Sequence, residues 1–239
     1  MAEPNALSKQ TADVEAMFNS IAPRYDALNH LLSLGIDRLW RRRLVRRLAA
    51  HSPARVLDVA TGTADLAIAL ARRAPQTAVV GIDIANQMLQ VGEQKVRQVG
   101  LTERISLQQA SALSLPFESG HFDAAMVAFG ARNFEHLEQG LSEMARVVRP
   151  SGHLMVLEFS MPQRWPIKSL YKLYFKYLLP AIGGLVSGNR QAYDYLPNSV
   201  VQFPQGEEFM SIMQRVGLSR CTATTLSFGV ATLYQAQKA

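Results

Sequence analysis

The stretch RVLDVATGTADLAIALARR, residues 55–73, decides how the chain is read. Arg55 to Val59 form an apolar, β-rich run that ends in a turn, and residues 64–74 follow with helical periodicity. Together they predict a buried strand, a loop and a helix. The loop ATGTAD stands where a nucleotide loop would, yet it keeps only Gly62, with Ala60 and Ala64 at positions where further glycines are usual. A dinucleotide loop needs those glycines because a pyrophosphate must approach the backbone closely at a helix N-terminus. No Gly-Lys-Ser/Thr follows, which excludes a triphosphate loop.

Outward from this unit the pattern repeats. AVVGID (78–83), RISLQQA (104–110) and FDAAMVAF (122–129) read as strands, 86–98 and 136–148 as helices, and RPSGHLMVLEFS (149–160) as a turn entering a strand. Strands too apolar to alternate, separated by helix-length segments, predict an α/β fold with a parallel sheet covered on both faces. Ligands of such sheets bind at the carboxyl ends of the strands, near the point where strand order reverses. LSRCTATTLSFGVATLYQAQK (218–238) predicts a hairpin around Phe228–Gly229, with an antiparallel strand at or near one edge. Ahead of the unit, residues 10–50 read as helical. Trp40, Leu44 and Leu48 make a buried stripe, and arginines from Arg38 to Arg47 cover the other face. Residues 160–204 break the rhythm with prolines, tyrosines and a glycine pair.

The chain has 239 residues, 48% apolar and 18% charged, enough for one sizeable core. Its formal charge of +6 points to an acidic partner: nucleic acid, an anionic membrane surface or a charged metabolite. A lone Cys221 excludes an internal disulfide and a cysteine-rich metal site, and the histidines show no ligand spacing, so no metal is expected. The polar opening residues carry no secretory signal, and no uncharged apolar run approaches the ~20 residues of a spanning helix. The expectation is a soluble, cytoplasmic protein.

A cofactor without phosphate asks less of the loop: one tight turn and room for a small charged group. S-adenosylmethionine (SAM) is such a cofactor, with an amino-acid end, a sulfonium and a ribose. Gly62 supplies the turn, and Thr63 offers its hydroxyl and backbone to the methionine end. Asp83 ends its strand 21 residues after Gly62, where an acid either accepts bonds from both ribose hydroxyls or caps the helix that starts at Asn86. Ser111 and Ala112 follow the third strand and can meet the adenine edge. An acidic tip and a glycine loop alone suit NAD(P) too; the missing glycines tip the balance to SAM.

The string MFNSIAPRYDALNHLLSLGIDRLWRRRL resembles the opening signature of the ubiquinone/menaquinone biosynthesis C-methyltransferases through Tyr25, Asp26, Asn29, Ser33, Gly35, Asp37, Trp40 and Arg41. FGARN (129–133), LEFSMP (157–162) and Tyr193, Tyr195, Leu196 and Ser199 of AYDYLPNSVVQFP match the same family, so the resemblance covers about residues 14–235. It implies a class I SAM-dependent methyltransferase fold, Rossmann-like, with a mostly parallel seven-stranded sheet and a C-terminal antiparallel hairpin. An N-terminal helical lid, 1–50, would precede a SAM-binding domain, 51–239, carrying an insert at about 160–204. It implies methylation of a ring carbon on a prenylated quinol, with 2-demethylmenaquinol the substrate in the menaquinone branch. It places SAM on Thr63, Asp83 and the Ser111–Ala112 pair, and the substrate against Tyr25, Asn29 and Tyr193. The loop is poorer in glycine than the family's, position 111 more often carries Asn or Asp, and Ala128 is often Ser.

Carbon methylation needs a nucleophilic carbon, which a quinol supplies when a ring hydroxyl is deprotonated. Arg132 can hold the quinolate oxygen and Asn133 can donate to it, unless the pair only shapes a turn. Asp26 can accept the hydroxyl proton, or it is a helix cap. In the insert, Leu170, Leu173, Tyr174, Tyr177 and Leu178 give an apolar face beside Lys168, Lys172 and Lys176. That face lines a prenyl channel, lies on a membrane together with the arginine helix, or caps the sheet. Three rivals remain. One is a methyltransferase for the benzoquinol of ubiquinone synthesis or another small molecule, and one is an NAD(P)-linked oxidoreductase. The third is a nucleic-acid-binding module, for which no aromatic platform or module pattern is present, so no nucleic-acid partner is expected. Oligomeric state is not legible.

Overall fold

The computed structural model describes residues 10–173 and 190–239. Tyr174, Lys176, Tyr177 and Leu178 of the insert lie outside the described residues, as do the side chains of Lys172 and Tyr193. Seven strands form one sheet: β1 (Arg55–Val59), β2 (Ala78–Asp83), β3 (Ile105–Gln109), β4 (Phe122–Ala128), β5 (Val148–Phe159), β6 (Leu218–Leu226) and β7 (Ala231–Lys238). Their order is β3-β2-β1-β4-β5-β7-β6. The first five are parallel, and β7 runs antiparallel between β5 and β6. The expected hairpin is therefore present, with its antiparallel strand one place in from the edge. Strand order reverses between β1 and β4, which puts the crevice for a ligand above their carboxyl ends.

Helices α1 (Thr11–Ile21), α2 (Tyr25–Leu32) and α3 (Ile36–Ala49) precede β1, and α4 (Asp65–Arg73), α5 (Asn86–Gln98) and α6 (Leu137–Val147) cover the sheet. Three more described helices follow: α7 (Ile167–Leu173), α8 (Arg190–Gln202) and α9 (Glu207–Arg215). α3 packs on α4 and β5, and Trp40, Leu44 and Leu48 enter the core as their spacing requires. Arg41 departs from the expected arginine face. It is buried, paired with Asp37 one turn earlier, and lies over the Phe129 ring with its guanidinium carbon 5.4 Å from the centroid. A charge can be buried there because a carboxylate and an aromatic face compensate its lost hydration.

The loop after β1 keeps the backbone of a glycine-rich loop without its glycines. Ala60, Gly62 and Ala64 have φ of +51°, +55° and +64°. Each alanine in this left-handed region costs roughly 1–2 kcal/mol. Ala60 gains packing in return. A Cβ on Gly130 would lie 2.6 Å from the Ala60 Cβ, so residue 130 gives up the side chain that residue 60 keeps. Gly130→Ala is expected to lower stability in urea unfolding by about 1–3 kcal/mol, and Ala60→Gly in the same chain is expected to restore most of it.

Candidate active site

A cavity that encloses about 700 Å³ of space, part of it open to solvent, sits over the carboxyl ends of β1 to β4. Gly62 and Asp83 form its floor, Ser111, Ala112, Ile82, Met88 and Phe134 its walls, and Thr11, Val14, Phe18 and Tyr25 its cover. The cavity is mainly apolar with a few convergent polar groups.

Three loop amides are spent inside the protein. The Thr61 N–H donates to the Ile82 carbonyl at 2.9 Å, that of Gly62 to Asp83 Oδ2 at 2.8 Å, and that of Ala64 to the Thr61 carbonyl at 3.0 Å. A pyrophosphate would find these donors occupied and a carboxylate beside them, so the loop does not suit NAD(P). Asp83 also accepts the Ala85 N–H at 2.9 Å, and in the first turn of α5 the Gln87 N–H donates to Asn19 Oδ1 at 2.9 Å. An ionised carboxylate offers about four acceptor sites, and with the amides of Gly62, Ile84 and Ala85 on it about one remains for a hydroxyl donor in the cavity. Burial pushes the Asp83 carboxyl above its usual range, and the amides of Ala85, Gly62 and Ile84 pull it back. Ser111 accepts the Leu113 N–H at 3.2 Å and keeps its own O–H to donate.

Asp58, which the apolar reading of RVLDV passed over, holds the loop from below. It is 1% exposed, accepts the Thr61 hydroxyl at 2.7 Å and also takes the Ala67 amide of α4. Burial raises its pKa to about 7 against the pull of Thr61 and Arg41. A lone acid inside an apolar strand run was the available signal.

Thr63 does not line the cavity. Its hydroxyl donates to Asp26 Oδ1 at 2.5 Å and accepts from Lys95 Nζ at 3.1 Å. Lys95 also binds Asp26 Oδ2 at 2.6 Å and pairs with Asp65, which lies 3.7 Å from Arg41. Both Asp26 oxygens are thus committed to a clasp between α2 and the body, in place of the expected proton acceptor. Tyr25, one residue earlier, does reach the cavity. Burial pushes its phenol up, while a hydrogen bond from the Asn29 amide and the charges of Arg132 and Arg41 hold it down. Asn29 therefore acts on Tyr25. At the other end of the lid, the Thr11 N–H and hydroxyl both donate to Glu135 Oε2, at 3.0 and 2.7 Å.

Arg132 and Asn133 separate. Arg132 is buried against the fully buried Glu158 at 3.1 Å, donates to the Phe129 carbonyl and lies over the Phe159 ring. It does not line the cavity, so the expected contact with a quinolate oxygen gives way to an ion pair behind the wall. Asn133 does line it, and the Tyr195 hydroxyl donates to Asn133 Oδ1 at 3.0 Å. That leaves the Asn133 NH₂ as the unspent donor. Tyr193, two residues before Tyr195, has its backbone on α8.

These groups fit SAM: a fixed carboxylate for a ribose hydroxyl, an apolar slot with Ser111 at its edge for adenine, and no demand for phosphate donors. The fold and cavity define a class I SAM-dependent methyltransferase. Solved structures share this architecture. The [4+2]-cyclase SpnF matches with TM-score 0.71 at 18% identity over 100% of this chain and 99% of its own. A SAM-dependent methyltransferase from Aquifex aeolicus matches with TM-score 0.57 at 17% identity over 82% of this chain and 89% of its own. More particularly, the chain belongs to the ubiE/COQ5 methyltransferase family, whose profile matches residues 6–238. The demethylmenaquinone methyltransferase of Bacteroides fragilis is 46% identical over 96% of this chain and 94% of its own length. That of Deinococcus radiodurans is 48% identical over 94% and 92%. The ubiquinone/menaquinone biosynthesis C-methyltransferase UbiE of Citrifermentans bemidjiense is 46% identical over 98% and 99%.

Two outcomes are expected from this geometry. Asp83→Ala should weaken SAM binding, read by calorimetry, about 10–100-fold, the weight of hydrogen bonds to a charged group. Asp58 has a folded pKa above its unfolded one, so its contribution to stability is full below about pH 4 and is lost as pH rises through 7. In urea unfolding from pH 4 to 8, Asp58→Asn should gain on the parent chain by up to about 4 kcal/mol.

Proposed function

We propose that the protein methylates the vacant ring carbon of 2-demethylmenaquinol, a prenylated naphthoquinol, to give menaquinol, the last step of menaquinone biosynthesis. The observation that carries this reading is the near full-length similarity to proteins named demethylmenaquinone methyltransferase. The cavity supports it: an apolar enclosure, with the Asn133 amide placed among Phe129, Gly130 and Phe134.

When bound, SAM supplies an electrophilic methyl group, so the protein has chiefly to position the acceptor and exclude water. Tyr195 holds Asn133 Oδ1, which turns the NH₂ toward the cavity to donate to a ring oxygen as negative charge grows there. The Arg132–Glu158 pair fixes the wall that carries Asn133. Tyr25, Phe18 and Val14 close the site from above. As the new carbon–carbon bond would form, the methyl–sulfur bond would break with its electron pair left on sulfur; the ring carbon's proton then passes by way of solvent to the ring oxygen, and the quinol regains aromaticity.

The benzoquinol of ubiquinone synthesis is a second acceptor, favoured by the similarity to UbiE proteins. The prenyl tail of either quinol partitions into a bilayer, so we place the working protein at a membrane surface. No described helix is long and apolar enough to cross a membrane.

Transfer from labelled SAM to short-chain 2-demethylmenaquinone, with and without dithionite and beside a ubiquinone-pathway benzoquinol, tests the reading. Label is expected on the reduced naphthoquinol only; label on both reduced rings would broaden the acceptor, and none would discard the quinone. Asn133→Ala should lower kcat about 100-fold, the cost of one oxyanion donor, with SAM affinity unchanged.

A further inference from the structure

Three apolar side chains stand almost wholly in water: Leu34 at 83% exposure, Trp165 at 82% and Phe228 at 82%. They come from segments far apart in the chain that meet at one place. The Trp40 indole N–H of α3 donates to Ser227 Oγ at 2.8 Å, which ties the start of α3, just after Leu34, to the hairpin tip. The Ser160 N–H donates to the Val230 carbonyl at 2.9 Å, and a Cβ on Gly229 would lie 3.3 Å from Pro162. The tip therefore also touches the loop leading to Trp165. Phe159, at the carboxyl end of β5, pairs with Ala231 beside the tip, so this rim lies at the same end of the sheet as the cavity.

Two of the tips sit on strained backbone: φ is +52° at Leu34 and +58° at Phe228, where bulky residues are rare. Strain that exposes apolar side chains gains nothing for folding, and such outliers concentrate where a surface is used. The exposed charge on the segments that form the rim is basic, and the one acid of α3, Asp37, is buried against Arg41. Residues 38–57, 159–193 and 209–239 contain Lys and Arg but no Asp or Glu. Arg38, Arg42, Arg43 and Arg46 are exposed along α3, and Arg164 and Lys168 flank Trp165. Burial first, and then the neighbouring Arg43 charge, lower the proton affinity of Arg47.

We propose that this rim docks on an anionic lipid bilayer, with Leu34, Trp165 and Phe228 entering the interface and the α3 arginines lying on the headgroups. Apolar tips beside a cationic stripe suit both layers of that interface. A second copy of the chain would bring arginine against arginine. A nucleic acid would meet the charge and leave the aliphatic Leu34 unused. The proposal deepens the prenyl-quinol reading and rests on it for its purpose: docking would bring the cavity end of the sheet to the layer that holds the substrate.

The test uses the full chain and unilamellar vesicles of phosphatidylcholine with or without phosphatidylglycerol, read by co-sedimentation. The parent chain is expected to bind phosphatidylglycerol vesicles, less tightly as salt rises, and to bind pure phosphatidylcholine weakly. Trp165→Ser with Phe228→Ser, and separately Arg38→Ser with Arg42→Ser and Arg43→Ser, should each weaken binding at least tenfold with thermal unfolding unchanged. Both variants should methylate a short-chain quinol in detergent at the parent rate and lose turnover on a long-chain quinol held in vesicles. Parent-like vesicle binding by both variants would overturn the proposal. So would self-association through these residues, or RNA binding that they weaken while vesicles bind nothing. Vesicle binding through the rim without methylation of any quinol would uphold the surface and remove the quinone reading alone.

Discussion

The hydrogen bond from the Gly62 amide to the Asp83 carboxylate joins the loop leaving β1 to the tip of β2, at 2.8 Å. Much of the site follows from it. The loop has to fold inward to bring that amide to the carboxylate, and left-handed backbone at Ala60, Gly62 and Ala64 makes this possible. Asp58 stiffens the same loop from beneath through Thr61 and Ala67. A loop fixed by two buried acids presents carboxylate oxygen to the cavity in place of amide hydrogen. That reversal of polarity separates a binder of a hydroxylated cofactor from a binder of phosphate.

Elements were legible in the sequence wherever a period or a run expressed burial. The β1–α4 unit, the later parallel strands and the 218–238 hairpin all emerge this way, because strands buried on both faces must be apolar throughout. Asp83, Ser111 and Ala112 were legible as strand tips, and the structure sets all three around the cavity. Contacts between distant parts of the chain were not. Arg132 gave no sign that Glu158 would take its charge, nor Thr63 that Asp26 and Lys95 would take its hydroxyl. Tyr195 and Asn133, 62 residues apart, meet only when α8 lies over the end of β4. Arg41 looked like its neighbours, and only the placement of Asp37 and Phe129 draws it inside.

Polar residues near the cavity divide by what they touch. Asn133, Ser111 and Asp83 keep hydrogen-bonding capacity toward the space, whereas Arg132, Thr63 and Asp26 spend theirs on the protein. The second group makes the first rigid: the Arg132–Glu158 pair anchors the wall at Asn133, and the Asp26–Lys95 clasp anchors the helix that carries Tyr25. For the buried Arg132–Glu158 pair, lost hydration offsets much of the attraction between the charges. Their return is geometric, in donors held where charge will develop.

The lid is fastened differently from the floor. Thr11 meets Glu135 at the mouth through two bonds to one exposed carboxylate oxygen, and Asn19 accepts the Gln87 amide at another exposed point. Water competes for all of these groups, so parting them costs little and remaking them is quick. Beneath them Val14 and Phe18 add apolar contact that is the same for any occupant of the cavity. A cover of this kind does not distinguish cofactor from spent product by grip. Were the cover to part for their exchange, these exposed bonds would be the ones to give way, and the chain between α1 and α2 would take up the turn.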